Sequence, residues 1–320
     1  MYDFYGRLNA EFPSQVIVDI TEACNLACVH CPHSTFKASK HFANRNLEYE
    51  LNEKIVDEVR ANSNGAVQFV RYASEGESLI HPKAYEMIQY AVENSGTLVT
   101  LTTNGTILNE KKLQPILDAG INLIDFSVDA LSPEVYSQIR RGGELERTQE
   151  NIFKTMRMIK SSNSKTLIAI SFIEQPENAH EATEFQRFWK EKGADFVYIR
   201  RLHSAAGAIN DMAEAMRKNN ESVKRKPCLY PWERIVLNPR GFLAFCPADW
   251  THGSTMTDYR STTIKESWQG EFYRNLRKAH LSNSFENHSF CGQCPDWVAT
   301  RWPDEGRSYA NMMEEINEES

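Results

Sequence analysis

Short apolar runs alternate with stretches of helical spacing from Val16 to about Leu202. The runs Val16–Ile20, Ala66–Tyr72, Leu98–Thr102, Leu123–Val128, Thr166–Ile173 and Phe196–Arg200 are rich in β-branched and aromatic residues and read as strands. Between them, Leu51/Ile55/Val59 and Ile152/Met156/Ile159 recur at the spacing of one helix face. Ser132-Pro133 has the form of an N-cap followed by proline at the first helical position. Such alternation predicts an α/β chain with a parallel sheet built from βαβ units. Six units suit either a doubly wound sheet or an open, incomplete barrel, and in both a ligand binds at the carboxyl ends of the strands.

The rhythm changes after His203. Residues 204–227 are polar and end in Lys224-Arg225-Lys226-Pro227, which reads as a connector. Ile235–Leu237 and Phe242–Phe245 then flank Asn238-Pro239-Arg240-Gly241, a hairpin signal. Thr263-Ile264-Lys265-Glu266 has capping-box form and is expected to open one amphipathic helix carrying Ile264, Trp268, Phe272 and Leu276. The expected organisation is an N-terminal extension (1–14), a β/α region (15–203), a linker (204–227), a C-terminal domain (228–310) and an acidic tail (311–320).

Composition narrows the function. With 41% hydrophobic and 25% charged residues, the 320-residue chain reads as an ordinary globular protein. A formal net charge of −7 argues against a nucleic-acid binder driven by phosphate neutralisation. No apolar run reaches the roughly 20 residues that span a bilayer, and Met1–Pro13 lacks the apolar core of a signal peptide. A cytoplasmic location, without membrane or nucleic-acid partners, is therefore expected. There, metal ligation or redox chemistry is the better reading of cysteines than disulfides.

The seven cysteines divide into three and four. Cys24, Cys28 and Cys31 form C-x3-C-x2-C directly after the first predicted strand, and Cys228, Cys246, Cys291 and Cys294 fall in the last third. A zinc site completed by His30 or His33 is one reading of the first group, and a four-cysteine zinc site one reading of the second. Both would suit a non-catalytic metal-binding module. Iron–sulfur cubanes are the other reading: three thiolates leave one iron open, whereas four close a cluster.

The first loop resembles the cluster motif of the radical S-adenosylmethionine (SAM) superfamily. The resemblance implies a [4Fe–4S] cluster on Cys24, Cys28 and Cys31 whose open iron is chelated by SAM, and a 5′-deoxyadenosyl radical that abstracts a substrate hydrogen. It also implies an open (β/α)6 partial TIM barrel over residues 15–203. His30 stands where the family more often has an aromatic ring, and is expected against the adenine. Glu75-Gly76-Glu77 resembles the family's Gly-Gly-Glu segment, so Gly76 and Glu77 are expected at the SAM amino group. Asn104 is expected beside the adenosine, Ser127 and Asp129 near the ribose and carboxylate, Ser171 at the ribose, and Arg141 paired with the SAM carboxylate.

Gly241-x4-Cys246 with a later C-x2-C resembles the SPASM/twitch extension carried by some of these enzymes. The resemblance implies a small C-terminal α+β twitch domain whose four cysteines saturate an auxiliary [4Fe–4S] cluster suited to electron transfer. Abstraction of hydrogen from a carbon bearing a hydroxyl, followed by loss of an electron to that cluster, leaves a carbonyl. The expected function is oxidation of a sugar or aminocyclitol alcohol, with carbohydrate epimerisation and peptide maturation as alternatives. Few residues precede the first strand, which leaves no room for a peptide-recognition domain there. A small-molecule substrate and an electron donor such as flavodoxin or ferredoxin are the expected partners. Arg200, His203, Asp249 and His252 are the candidates for the general base.

Overall fold

The structure, a computed structural model, describes residues 11–73 and 75–299. The expected acidic tail, most of the N-terminal extension and the last residues of the C-terminal domain lie outside them. All six predicted strands form: β1 (Gln15–Val18), β2 (Phe69–Tyr72), β3 (Leu98–Thr103), β4 (Leu123–Ser127), β5 (Leu167–Glu174) and β6 (Phe196–Arg201). They pair in parallel in chain order, with helices in the crossovers, as an open partial barrel.

Strand alternation gives the sheet two different faces. Val16, Val18, Val70, Tyr72, Val99, Leu101, Ile124, Phe126, Ile168 and Ile170 pack in one core with the surrounding helices. There Phe172 meets Phe185 at 4.8 Å and Phe153 meets Trp189 at 5.7 Å. Burial of each such side chain contributes about 1.5–3 kcal/mol. The inner face is apolar at its base, where Phe69, Leu98, Leu123 and Ala169 form a separate cluster. Toward the carboxyl ends it turns polar through Arg71, Thr102, Asp125, Ser127, Ser171 and Arg200. A greasy floor beneath a polar rim suits a soluble, hydroxylated or charged ligand.

The expected C-terminal hairpin forms from β7 (Arg234–Leu237) and β8 (Phe242–Ala244), and β9 (Thr255–Asp258) adds to it. It does not stand apart as a second sheet. β7 pairs in parallel with β1, so one nine-stranded sheet runs β6-β5-β4-β3-β2-β1-β7-β8-β9. Without β7, the edge of β1 would present unpaired backbone groups. A helix, Asn210–Asn219, lies in the stretch read as a connector.

The capping box at Thr263 forms as expected, but the helix it opens stops at Gln269 and a second begins at Glu271. Gly270 is extended (φ −66°, ψ 167°) and resets the helical phase. Phe272, expected in the core, is consequently exposed, and Tyr273 packs 4.6 Å from Trp268 in its place.

Candidate functional site

The three-cysteine loop leaves β1 and is stitched to its neighbours by backbone bonds. Ala27 N–H donates to Arg141 O and Val29 N–H to Ile139 O, both at 2.9 Å, and Glu77 N–H donates to Ala23 O at 2.8 Å. Asn104 Nδ2 donates to Asn25 Oδ1, and Asn25 Nδ2 to Thr106 Oγ1. Burial is the main influence on the thiols and pushes Cys24 up to about 11 and Cys31 up to about 12. Cys24, Cys28 and Cys31 are electrostatic neighbours. Three half-buried thiols close to one another are a donor set that a bound cation would complete. His33 and His30, the candidates for a fourth zinc ligand, are engaged elsewhere. His33 Nε2 lies 2.8 Å from Glu22 O, and His30 Nδ1 lies 3.2 Å from Gln175 Nε2.

Cys228, Cys246, Cys291 and Cys294 are brought together by the segment that leads into the helix Tyr230–Glu233, the chain just after β8, and the helix Ser289–Gln293 with its C-cap Cys294. Burial raises the last three thiols, and each also feels Cys228. Arg225 spans this group, donating to Cys291 O at 2.6 Å and Gly292 O at 3.1 Å and stacking 4.2 Å from the Phe285 ring. Two thiol groups of these sizes at opposite ends of one chain are what a pair of iron–sulfur clusters requires.

The sequence pattern of the radical SAM superfamily matches residues 18–185, more than half of the chain. The chain belongs to the radical SAM superfamily. The SPASM iron–sulfur cluster-binding domain matches residues 228–295. Among curated relatives, a probable GTP 3′,8-cyclase of Methanocaldococcus jannaschii is 29% identical over 61% of this chain and 59% of its own. A tungsten-containing aldehyde ferredoxin oxidoreductase cofactor-modifying protein of Pyrococcus furiosus is 27% identical over 58% of this chain and 50% of its own. The chain thus spans between half and three-fifths of the length of these two relatives. A probable GTP 3′,8-cyclase of Methanococcus maripaludis is 30% identical over 92% of this chain and 83% of its own. The fold is shared with BtrN in complex with AdoMet and 2-DOIA (TM-score 0.59, 16% identity, 88% of this chain and 92% of that one). It is also shared with Streptococcus suis SuiB bound to its precursor peptide SuiA (TM-score 0.65, 14% identity, 95% and 73%).

SAM and two iron–sulfur clusters are therefore the cofactors of this radical SAM protein, and both thiol sets fit them. The other expected contacts divide into two kinds. Ser127 and Ser171 sit opposite each other in register at the inner rim of β4 and β5. The Glu77 carboxylate is anchored within the protein: Oε1 accepts from Thr103 Oγ1 and Leu79 N–H, and Oε2 from Asn104 N–H. Gly76 lies against the cluster loop, where a Cβ would fall 2.1 Å from Thr21 O. The His30 ring is 3.5 Å from Asp129 Oδ2, and burial lowers its pKa to about 4, so the contact is polar and not ionic.

The Arg141 side chain, expected to pair with the SAM carboxylate, is exposed, whereas the guanidinium of its neighbour Arg140 is buried. Arg140 closes the helix Pro133–Ile139 and donates Nε and Nη2 to Asp129 Oδ2 at 2.8 and 2.5 Å. Asp129 is held in turn by Ile173 N–H on Oδ1 and by a left-handed backbone (φ 62°). Both its oxygens are occupied, so it orients Arg140, an electrostatic neighbour of Cys28. Arg140→Met breaks a buried ion pair and is expected to cost about 3–5 kcal/mol, whereas Arg141→Met stays within about 0.5 kcal/mol. Denaturant unfolding of the two cluster-loaded variants checks this; equal losses would refute the assignment.

The four candidates for the general base sit in different surroundings. Arg200 Nη2 is 2.6 Å from Asp125 Oδ2, which Arg71 also approaches at 3.4 Å. His203 is exposed and 4.0 Å from Asp296. Asp249 is buried, with Oδ1 accepting from Thr251 and Gly253 N–H and Oδ2 from Ser254 N–H. Its three backbone bonds shape the 249–254 loop. His252 is half-buried on that loop. Asp125, not among the sequence candidates, is a buried acid on the inner face whose Oδ1 has no hydrogen-bond partner among the described residues. A lone acid inside a predicted strand was the available signal.

Proposed function

We propose that this radical SAM enzyme oxidises a hydroxylated carbon of a sugar or aminocyclitol to a carbonyl. Bound SAM and the cluster at Cys24, Cys28 and Cys31 supply the hydrogen-abstracting radical, and the cluster at the C-terminal cysteines takes the remaining electron. The observation that carries this reading is the convergence of four cysteines at the second site, which leaves no open iron for a substrate and suits an electron acceptor. Arg71, Thr102, Asp125 and Arg200 offer donors and an acceptor to a polyhydroxylated ring on the inner face. Asp125 Oδ1 is positioned to accept the substrate hydroxyl, whose proton must leave as the carbonyl forms. An electron donor of the flavodoxin or ferredoxin class supplies the cluster that starts each turnover.

Conversion of a hydroxylated substrate in the presence of SAM and reductant, then borodeuteride, is expected to place deuterium at one carbon of the product. A redox-neutral product carrying solvent hydrogen would sink the oxidation in favour of epimerisation. The 30% identity to a probable GTP 3′,8-cyclase over 92% of this chain favours a second reading, rearrangement of a purine nucleotide. GTP consumption under the same conditions separates the two.

A further inference from the structure

Beside the cluster loop, three side chains from distant parts of the chain face one point. Glu22, Glu75 and His252 each offer one ligand atom, and these atoms all lie within 4.8 Å of one another. Glu22 follows β1, Glu75 precedes Gly76, and His252 comes from the loop after Cys246. From Glu22, Ala43 and Arg45 N–H take only Oε2, at 2.9 Å each. Glu22 Oε1 and Glu75 Oε2 are buried with no hydrogen-bond partner among the described residues, and both residues are more than nine-tenths buried. Buried carboxylate oxygens without partners need compensation by a proton or a cation, since each unpaired charged group costs more than the roughly 1–3 kcal/mol of a neutral one, and burial beside Asp19 and Glu22 raises the pKa of Glu75 in that direction.

Among the described residues no cationic side chain touches either oxygen. Arg240 is an electrostatic neighbour of Glu75 and Glu22, but its Nη2 donates to Thr255 Oγ1 and its Nε is buried without a partner. Among the described residues no ion pair joins it to either carboxylate. Asp19 and Asp249 add two more carboxylates around Glu75, against the guanidiniums of Arg240 and Arg45. His252 has a left-handed backbone (φ 61°), held by the three backbone bonds to Asp249.

We propose that Glu22, Glu75 and His252 form a binding site for a divalent first-row metal ion, separate from both iron–sulfur clusters. Two carboxylates and one imidazole suit Mn(II), Fe(II) or Zn(II), and three protein ligands leave coordination positions open. The site lies between the cluster loop and the 249–254 loop, so an open position can take a hydroxyl or phosphate oxygen of the substrate. That last role rests on the function proposed above; the metal site itself does not.

The test uses the full chain with both clusters loaded and oxidised, without SAM or substrate. Mn(II) is added and the free ion is counted by electron paramagnetic resonance. One Mn(II) per chain is expected, with nitrogen coupling from one imidazole. His252→Ala should weaken binding by more than the 10–100-fold typical of losing an outer-sphere partner, with iron content unchanged. The isosteric Glu75→Gln gives the same readout should His252→Ala lose iron. Absence of bound Mn(II), or binding that survives both substitutions without nitrogen coupling, would overturn the site. Such a failure leaves the alcohol oxidation standing, and a redox-neutral product leaves the metal site standing.

Discussion

A chain carrying alanine at Cys24, Cys28 and Cys31 is expected to fall from about eight irons to about four and to lose SAM cleavage entirely. The three thiols are electrostatic neighbours in a loop that β1, the Glu77 backbone and the Arg140–Arg141 turn hold in place. The remaining irons belong to a second thiol set, Cys228, Cys246, Cys291 and Cys294, whose segment is held by Arg225 and shares no residue with the first loop. Loss of one cluster therefore leaves the other. The reciprocal change, Cys291→Ala with Cys294→Ala, should keep 5′-deoxyadenosine formation while abolishing the carbonyl product, because the electron has lost its acceptor. Iron, sulfide and nucleoside assays on the reconstituted proteins read both outcomes. Zinc in place of four of the irons in the unaltered chain would remove the acceptor and with it the oxidation.

The barrel was legible because parallel strands covered on one face by helices are short apolar runs with sharp ends. Leu123–Ser127 and Phe196–Arg201 stand within a residue of expectation. Thr255–Asp258 was not legible: all four residues are half-buried and the run lacks a hydrophobic stretch. The break at Gly270 was equally hidden. Ile264, Trp268, Phe272 and Leu276 have continuous helical spacing, and only the backbone at Gly270 shows that the phase restarts and that Tyr273 is the core residue.

The site was legible where ligands are local in sequence and obscure where geometry decides between neighbours. Cys24, Cys28 and Cys31 announce themselves by spacing. Arg140 and Arg141 differ by one position, and the end of the helix Pro133–Ile139 determines which of them turns inward. Glu77 matches its motif, yet its carboxylate is committed to Thr103, Leu79 and Asn104. Glu22, Glu75 and His252 belong to three different loops, and no periodicity or spacing connects them; only the pairing of β7 with β1 carries the 249–254 loop to the barrel mouth.

Gly76→Ala should be nearly as damaging to the first cluster as loss of its cysteines, although it removes no ligand. A Cβ there would meet Thr21 O at 2.1 Å and Ala23 O at 2.5 Å, and both obstacles are backbone atoms of the strand end that leads into Cys24. Neither can turn aside as a side chain would. Thr21 is fixed by its Oγ1, which donates to Asn46 Oδ1 at 2.7 Å and accepts from Ala23 N–H at 3.1 Å. Ala23 O already accepts from Glu77 N–H at 2.8 Å. Relief requires the Gly76–Glu77 segment and the cluster loop to part by about 1 Å, a displacement that can cost about 100-fold in rate. The overpacking itself costs about 1–3 kcal/mol, too little to unfold the chain. Gly96→Ala is the control: its Cβ meets nothing within 4 Å, and its φ of +67° costs only the roughly 1–2 kcal/mol of a left-handed residue. Both variants should fold, the control with full iron and normal SAM cleavage. Gly76→Ala should drop toward four irons and cleave SAM at least about 100-fold more slowly. Equal iron and equal rates in the two would mean that the close approach of Gly76 to Thr21 and Ala23 plays no part in holding the cluster loop.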